Sequence, residues 1–401
     1  MRICLHDFSG HPFQVELARR LAARGHDVVH VSSAEYVSGK GDLTAEDGQR
    51  LSFVRIEVDR PYEKHSPRAR VTWERAYAAA TIEQLTGGDF DVFIACNIPL
   101  LANHRISRWA RRHGLPWVFW HQDVYSAAMS DELRTRLPAP LAAVGARVLD
   151  RMESYIARRA GHVVAIGDAF TAVYDGWGVD PVNVSVVPNW APLDRIFPVE
   201  RDNRRSADLF PSDPDLRLVY AGTLGRKHNP DLLAQLVDQL ATRDCDAHMV
   251  VVSEGDGADL VAASSAAAAG HLTVFGFQPA EDLPEVLSSA DVLVALLEPD
   301  ATRFSIPSKV LSYMAAGRPI VGLMPQDNPA ASDIEQTGGL VVPPTTQGVA
   351  EAADWIASLA QDRGRIVEVG QRSRELAEAR FDAEKVATTF DQILRRSARG
   401  S

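Results

Sequence analysis

Residues 216–230, LRLVYAGTLGRKHNP, pass from a short apolar run through two glycines and two cations to an Asn-Pro pair. The run ending at Tyr220 reads as a buried strand, Gly222 and Gly225 loosen the turn after it, and a helical pattern opens near Asn229. This is a strand, a loop and a helix in the order of a βαβ unit. The glycines permit close backbone approach to a ligand, and Arg226 and Lys227 just before the helix could hold phosphate oxygens. The stretch is neither a Walker A sequence nor a G-x-G-x-x-G fingerprint.

The same unit recurs on both sides. Downstream, AHMVVVSEG, LTVFG, DVLVALL, RPIVGLM and GLVVP read as further strands, and consecutive helices run from Gln347 to about Arg396. Upstream, residues 186–215 are rich in Pro, Asp and Arg, lack periodicity and read as a linker. Before them RICLH, DVVHV, SFVRIEV, DVFIA, PWVFW, HVVAI and VSVV alternate with helix-like segments. In one of these, PFQVELARRLAARG, Val15, Leu17, Leu21 and Ala22 fall near one face and Gly25 stops the helix. At 401 residues the chain exceeds the size of one ordinary core. The expectation is an α/β protein of two Rossmann-like, doubly wound domains facing a central cleft. They span 1–190 and 191–380, and a C-terminal helix, 381–401, can cross back to the first. Ligands of such sheets bind at the carboxyl ends of the strands, so the cleft is the expected site.

Composition narrows the function. Residues 1–200 hold 23 Lys and Arg against 24 Asp and Glu, and residues 201–401 hold 19 against 29, a balance that argues against a nucleic-acid partner. Cys4, Cys96 and Cys245 are far apart in apolar stretches, which fits buried thiols in a reducing compartment rather than disulfides or a zinc site. No stretch is apolar enough to span a bilayer, so a cytoplasmic location is expected. Residues 105–112, RISRWARR, form a basic amphipathic pattern around Trp109 that can rest on an anionic membrane, or else a solvated face with Trp109 packed inward.

Two further loops carry chemistry. VVSEGDGADL (251–260) follows a strand with Glu254, whose carboxylate suits hydroxyls; a plain tight turn explains the glycines equally well. In FSIPSKVLSYMAAGRPIV (304–321), Pro307 suits a first helical position, so Ser308, Lys309 and Val310 would expose the N–H groups of the first turn. Val310, Leu311, Met314 and Ala315 form the buried face, and Gly317 with Pro319 ends the helix. A lysine at that end is unfavourable by roughly 0.3–1 kcal/mol unless an anion lies nearby. A diphosphate is the anion that fits.

The ordered set GTLGRKHNPDLL, EGDG, FGFQPAEDLPEVLSSADVLVALLEP, IPSKVLSYMAAGRPIV and IEQTGGLVVPP resembles the retaining glycosyltransferases of family 4, which have the GT-B fold. ELARRLAARGHDVVHVSS is similar to that family's first helix and second strand, and the likeness covers nearly the whole chain. The resemblance implies that Gly222, Thr223, Arg226 and Lys227 contact the donor diphosphate, with Ser308, Lys309 and Val310 facing the donor. Many members carry two glutamates there; the aligned positions hold Phe304 and Ser312, as in the subgroup reading PSK…YMAAG. Glu335 could compensate at the ribose or be a solvated helix charge. In the first half, FWHQDVYS is similar to the family's active-site loop, which assigns His121 and Asp123 as positioning or charge-stabilising residues. DFSGHPFQ would bring Gly10 and His11 to the transferred sugar or acceptor, and CNIPLL (96–101) would shape the acceptor side.

The implied reaction moves a hexose-type sugar, with retention, from a nucleoside-diphosphate donor, UDP by default, to an acceptor hydroxyl. Polysaccharide, glycolipid and natural-product biosynthesis all fit, with a small-molecule, glycan or lipid-linked acceptor. Arg226, Lys227 and Lys309 would balance the leaving diphosphate. No D-x-D pair stands at a C-terminal strand end, so no cofactor or essential metal is expected. A GT-B nucleotide-sugar epimerase and a non-catalytic nucleotide-sugar-binding protein are the alternatives. A Rossmann dehydrogenase lacks its fingerprint in both halves.

Overall fold

The structure is a computed structural model that describes residues 1–35, 41–45, 48, 50–60, 66–225, 229–297, 304 and 307–399. Its contacts divide the chain into two compact units, Met1–Asn189 with Glu384–Ser401, and Trp190–Ala383.

The first unit is built on seven strands: β1 (Arg2–Asp7), β2 (Asp27–Ser33), β3 (Leu51–Ile56), β4 (Val92–Cys96), β5 (Trp117–His121), β6 (His162–Ala165) and β7 (Val184–Val186). All pairings are parallel, in the order β3-β2-β1-β4-β5-β6-β7. The inner strands β1, β4, β5 and β6 read as apolar runs because helices cover both faces. Helix Pro12–Ala23 buries Gln14, Val15, Leu17, Ala18 and Leu21; Ala22 is only half-buried, and Ala18 takes the place assigned to it. Gly25, at φ +86°, stops that helix. Helix Ala383–Arg399 packs Phe390 on Trp120, with ring centroids 4.7 Å apart, and His26 bonds Asp391 at 2.7 Å. Cys4 and Cys96 are buried as expected, whereas Cys245 is half-buried.

The second unit has six parallel strands: β8 (Leu216–Ala221), β9 (Ala247–Val252), β10 (Leu272–Phe275), β11 (Val292–Leu296), β12 (Ile320–Leu323) and β13 (Leu340–Val342). Their order is β10-β9-β8-β11-β12-β13. Residues 186–215 are less of a linker than their composition suggests. Asn203 and Ser206 form a capping box on helix Arg204–Leu209, Leu209 and Phe210 are buried, and Arg201 holds Asp291 at 3.0 Å. Thus most of that segment is integral to the second unit. In each sheet the strand order reverses once, between β1 and β4 and between β8 and β11. Loops diverge there, leaving a crevice at the carboxyl ends.

Candidate active site

In the second unit a cavity of about 550 Å³ lies at this reversal, lined by Gly222 and Thr223 after β8, Leu297 after β11, and Ser308, Lys309 and Ser312. Helix Ser308–Ala315 enters it with Pro307 as its N-cap rather than its first residue. The Val310 N–H therefore bonds the Pro307 carbonyl at 3.0 Å, and the Val310 side chain is in the core. This corrects the expectation that Val310 offers a free donor. The N–H groups of Ser308 and Lys309 meet no acceptor among the described residues.

Lys309 is largely buried, and among the described residues no carboxylate pairs with it. Its Nζ donates to the Tyr220 hydroxyl and stands 4.0 Å from the centre of that ring. The Tyr220 hydroxyl donates to the Thr223 carbonyl at 2.8 Å, while Tyr313 bonds both backbone groups of Ala221. Two tyrosines thus pin the β8 turn under the lysine. Burial pushes Lys309 down to about 7; the ring face opposes this by favouring the ammonium. Gly222 suits its φ of +132°, a conformation that residues with side chains rarely adopt, and its Cα faces Lys309, whose Cε would be in ordinary contact with a Cβ there at 3.4 Å. Arg226 and Lys227, expected in the same loop, lie outside the described residues.

Glu254 is exposed after β9, and one carboxylate oxygen accepts the Phe277 N–H at 2.9 Å. It therefore ties down the 276–278 loop, whose Phe277 and Gln278 line the cavity. Gly257 is required for close approach: a Cβ there would lie 2.1 Å from the Leu224 carbonyl oxygen. Ser312, aligned with one missing glutamate, lines the cavity, and Phe304, aligned with the other, is buried. Glu335 is exposed on helix Pro329–Gln336 and does not line this cavity, so its placement favours the solvated charge over a ribose contact.

A second cavity, of about 310 Å³, lies at the β1/β4 reversal of the first unit and brings together His11, Asn97 and Asp123. Asp7, fully buried, accepts the His11 N–H and the Asn97 amide at 3.0 Å and so holds two of the lining residues in place. Burial raises the Asp7 carboxyl, and these donors oppose the rise. Burial also pushes Asp123 up to about 6, with Glu153 adding to the rise and His121 and His11 opposing it. The Asp123 side chain remains open to solvent, which screens part of that push. Gly10 makes the turn at φ +71°, but it is buried and a Cβ there would meet Leu43 at 3.3 Å. It shapes the loop and is not among the residues that line the cavity.

For His121 the geometry narrows the expected role to positioning. It is 1% exposed and does not line the cavity. Nδ1 meets the Tyr174 hydroxyl at 3.0 Å, and Nε2 faces Glu153 at 3.3 Å. Glu153, itself fully buried, accepts the N–H groups of Tyr125 at 3.0 Å and Ser126 at 2.7 Å, at the start of helix Tyr125–Arg136. The histidine and glutamate hold the segment that carries Asp123, so His121 acts through position rather than contact. Gln122 makes a reciprocal amide pair with Asn189. Asp7, Glu153, Tyr220 and Tyr313 were not legible as site-building residues; only the place of Asp7 and Tyr220 at strand ends hinted at them.

Helix Leu100–Arg112 buries Ala102, Ile106 and Ala110 and exposes Arg105, Arg108, Arg111 and Arg112. Trp109 is half-buried and stacks on His113 at 4.7 Å, so neither a fully inward nor a fully outward reading describes it. Among the described residues there is no helix long and apolar enough to cross a membrane and no cluster of three or more candidate metal ligands.

Two parallel α/β units, each with a cavity at its strand-order reversal, define a tandem Rossmann-like protein of the GT-B kind. Residues 11–190 match the glycosyl transferase 4-like domain, and residues 215–362 match the glycosyl transferases group 1 domain. The chain belongs to the glycosyltransferases that join these two domains. A probable glycosyltransferase of Pseudomonas aeruginosa, WbjE, is 26% identical over 231 residues, 56% of this chain and 55% of that protein. The match thus spans about half the length of that curated relative. Among solved structures, sucrose-phosphate synthase from Thermosynechococcus elongatus superposes with a TM-score of 0.73 at 18% identity, covering 100% of both chains. Anabaena HepE in complex with UDP gives 0.71 at 14% identity, covering 98% of this chain and 100% of that one.

Proposed function

We propose that the chain is a retaining glycosyltransferase that moves a hexose-type sugar from a nucleoside-diphosphate donor to an acceptor hydroxyl. The observation that carries the donor assignment is Lys309. It is a largely buried cation at a helix start, aimed across Gly222 beside two unengaged N–H groups, with no carboxylate partner among the described residues. A diphosphate placed there gives the lysine its counter-ion, and charge growing on the leaving phosphate meets donors already in place. Arg226 and Lys227 are proposed to add to this from the β8 loop, as the resemblance implies. HepE, whose structure holds UDP, makes a uridine nucleotide the first ligand to try. Asp123 and His11 are proposed to position the acceptor. Retention and the PSK…YMAAG subgroup rest on the family resemblance, and no metal is assigned to the chemistry.

The test is calorimetric binding of UDP, GDP, dTDP, ADP and their common sugars, with and without EDTA, on the wild type and Lys309→Ala. One diphosphate should bind equally well with EDTA and weaken at least tenfold in the variant. Binding by none of them would sink the reading, and binding abolished by EDTA would sink its metal-free form. Isomerisation of the bound sugar without an acceptor would instead identify an epimerase.

A further inference from the structure

The Asp123 cavity is not isolated. A second cavity in the same unit, of about 390 Å³, shares Arg70, Leu100 and Met129 with it. Leu101, Leu133, Leu149 and Met152 supply apolar wall from three helices, Leu100–Arg112, Tyr125–Arg136 and Ala139–Arg159. Its acidic residues are already engaged. Glu74 accepts from Arg70 at 2.9 Å and from the Leu101 N–H at 3.2 Å, and Glu132 pairs with Arg136 at 2.8 Å. Carboxylates neutralised in this way leave an interior suited to hydrocarbon.

The surface beside the cavity is apolar as well. On helix Ala139–Arg159, Leu141 is 60% exposed, Val144 59% and Val148 49%. At about 100° per residue these three share an arc that runs directly into the arc of Met152 and Leu149. Gly145 lies on that seam, where a Cβ would stand 2.7 Å from Leu133 Cδ1. Val71, 40% exposed, also lines the cavity. Single exposed apolar residues need no explanation, but a stripe leading into an apolar cavity does. Arg75, Arg147 and Arg151 are exposed around it and have no carboxylate partner among the described residues, as is true of Arg105 and Arg108 on the neighbouring helix.

We propose that this path seats the hydrocarbon chain of a lipid-linked acceptor. The acceptor hydroxyl lies in the Asp123 cavity, the chain passes through the 390 Å³ cavity, and the stripe meets the bilayer from which the acceptor is drawn. The inference rests on the glycosyltransferase reading above and narrows its acceptor to an amphipathic one. Charge complementarity selects this occupant: exposed arginines beside an apolar stripe, with no carboxylate partner among the described residues, match anionic headgroups over acyl chains.

The test is calorimetric binding of dodecyl phosphate, below its micelle concentration, against methyl phosphate, with nucleotide binding measured in parallel on the full chain. Each methylene buried is worth roughly fourfold in affinity, so four of them make dodecyl phosphate roughly 250-fold the tighter ligand. Met152→Trp, which fills the cavity, and Val148→Asp, at an exposed position where the fold is not at stake, should each weaken dodecyl phosphate at least tenfold and leave nucleotide binding unchanged. Equal affinity for the two phosphates overturns the proposal, as does dodecyl phosphate binding indifferent to Val148→Asp. A concentration-dependent dimer in light scattering, dissolved by Val148→Asp, would give the stripe to a second copy and also overturn it. Nucleotide binding without dodecyl phosphate binding defeats the lipid seat alone; the reverse upholds the seat and defeats the donor reading.

Discussion

Lys309 makes donor binding depend on pH in a direction that the structure fixes. Burial lowers it from 10.5 to about 7, so in the empty protein it loses its proton above neutrality. A diphosphate against Nζ restores the charged form and moves the pKa back up. Between the two values the complex holds a proton that the free protein does not, so affinity falls by up to roughly tenfold per pH unit. With a bound-state value of about 9 to 10.5, the loss from pH 7 to pH 9 is roughly 25–50-fold. A nucleotide sugar is the ligand to use, because both its phosphates are esterified and contribute no titration in this range. Lys309→Met removes the titrating group at similar length; its affinity should be independent of pH and close to the high-pH limit of the wild type. Isothermal titration at constant ionic strength from pH 6.5 to 9 reads both. Stability should move the opposite way. Unfolded Lys309 binds more protons than folded Lys309 between about 7 and 10.5, so wild-type stability relative to Lys309→Met rises with pH over that window. A flat wild-type affinity, or the same slope in Lys309→Met, would refute the reasoning.

Gly257→Ala should weaken nucleotide binding at least tenfold, because its Cβ would lie 2.1 Å from the Leu224 carbonyl oxygen and push the β8 loop aside; calorimetry reads it, and unchanged affinity counts against a role for that loop. Glu153→Ala leaves the Tyr125 and Ser126 N–H groups and His121 without their acceptor, at about 1–3 kcal/mol each for buried groups, so urea unfolding of the first unit should shift by several kcal/mol while nucleotide binding in the second is kept. Asp123→Asn keeps the shape but removes a carboxylate that burial pushes up to about 6; as an acceptor-positioning group its loss should lower turnover roughly 10²-fold with donor affinity unchanged, and the wild-type rise in rate with pH through about 6 should vanish from the profile.

Each of the thirteen strands among the described residues overlaps an apolar run in the sequence, and the inner ones are buried nearly throughout because helices cover both faces of a parallel sheet, whereas the edge strands β3, β7 and β10 are only partly buried. Length separated these runs from helices, and glycines such as Gly25 and Gly317, both at positive φ, marked the helix ends. Residues 186–215 were harder. Their Pro and Asp content resembles a loose connector, yet Arg201, Asn203 and Phe210 engage partners in the second unit. Composition reports how many polar groups a segment has; it does not report whether distant carboxylates such as Asp291 are placed to receive them.

The site was legible where chemistry sits on a local pattern and opaque where it depends on contacts far along the chain. Lys309 stands out in sequence because a cation in a first helical turn is locally unfavourable, and the fold gives that anomaly a setting beside Gly222 and Tyr220. His121 looked equally functional at a strand end, but Glu153, 32 residues later, claims its Nε2 and turns it into a support for the Asp123 segment. Nothing near Glu153 announces this, since Asp150 and Arg151 beside it are exposed. The two residues differ in what satisfies them. His121 has partners for both ring nitrogens within the chain, whereas Lys309 has a hydroxyl and a ring face but no counter-charge among the described residues. A buried, charge-capable group without a counter-charge is stable only at the expense of its proton or with a ligand. That asymmetry is why the donor assignment rests on Lys309, and why substituting His121 should disturb the first unit's stability before it disturbs the chemistry.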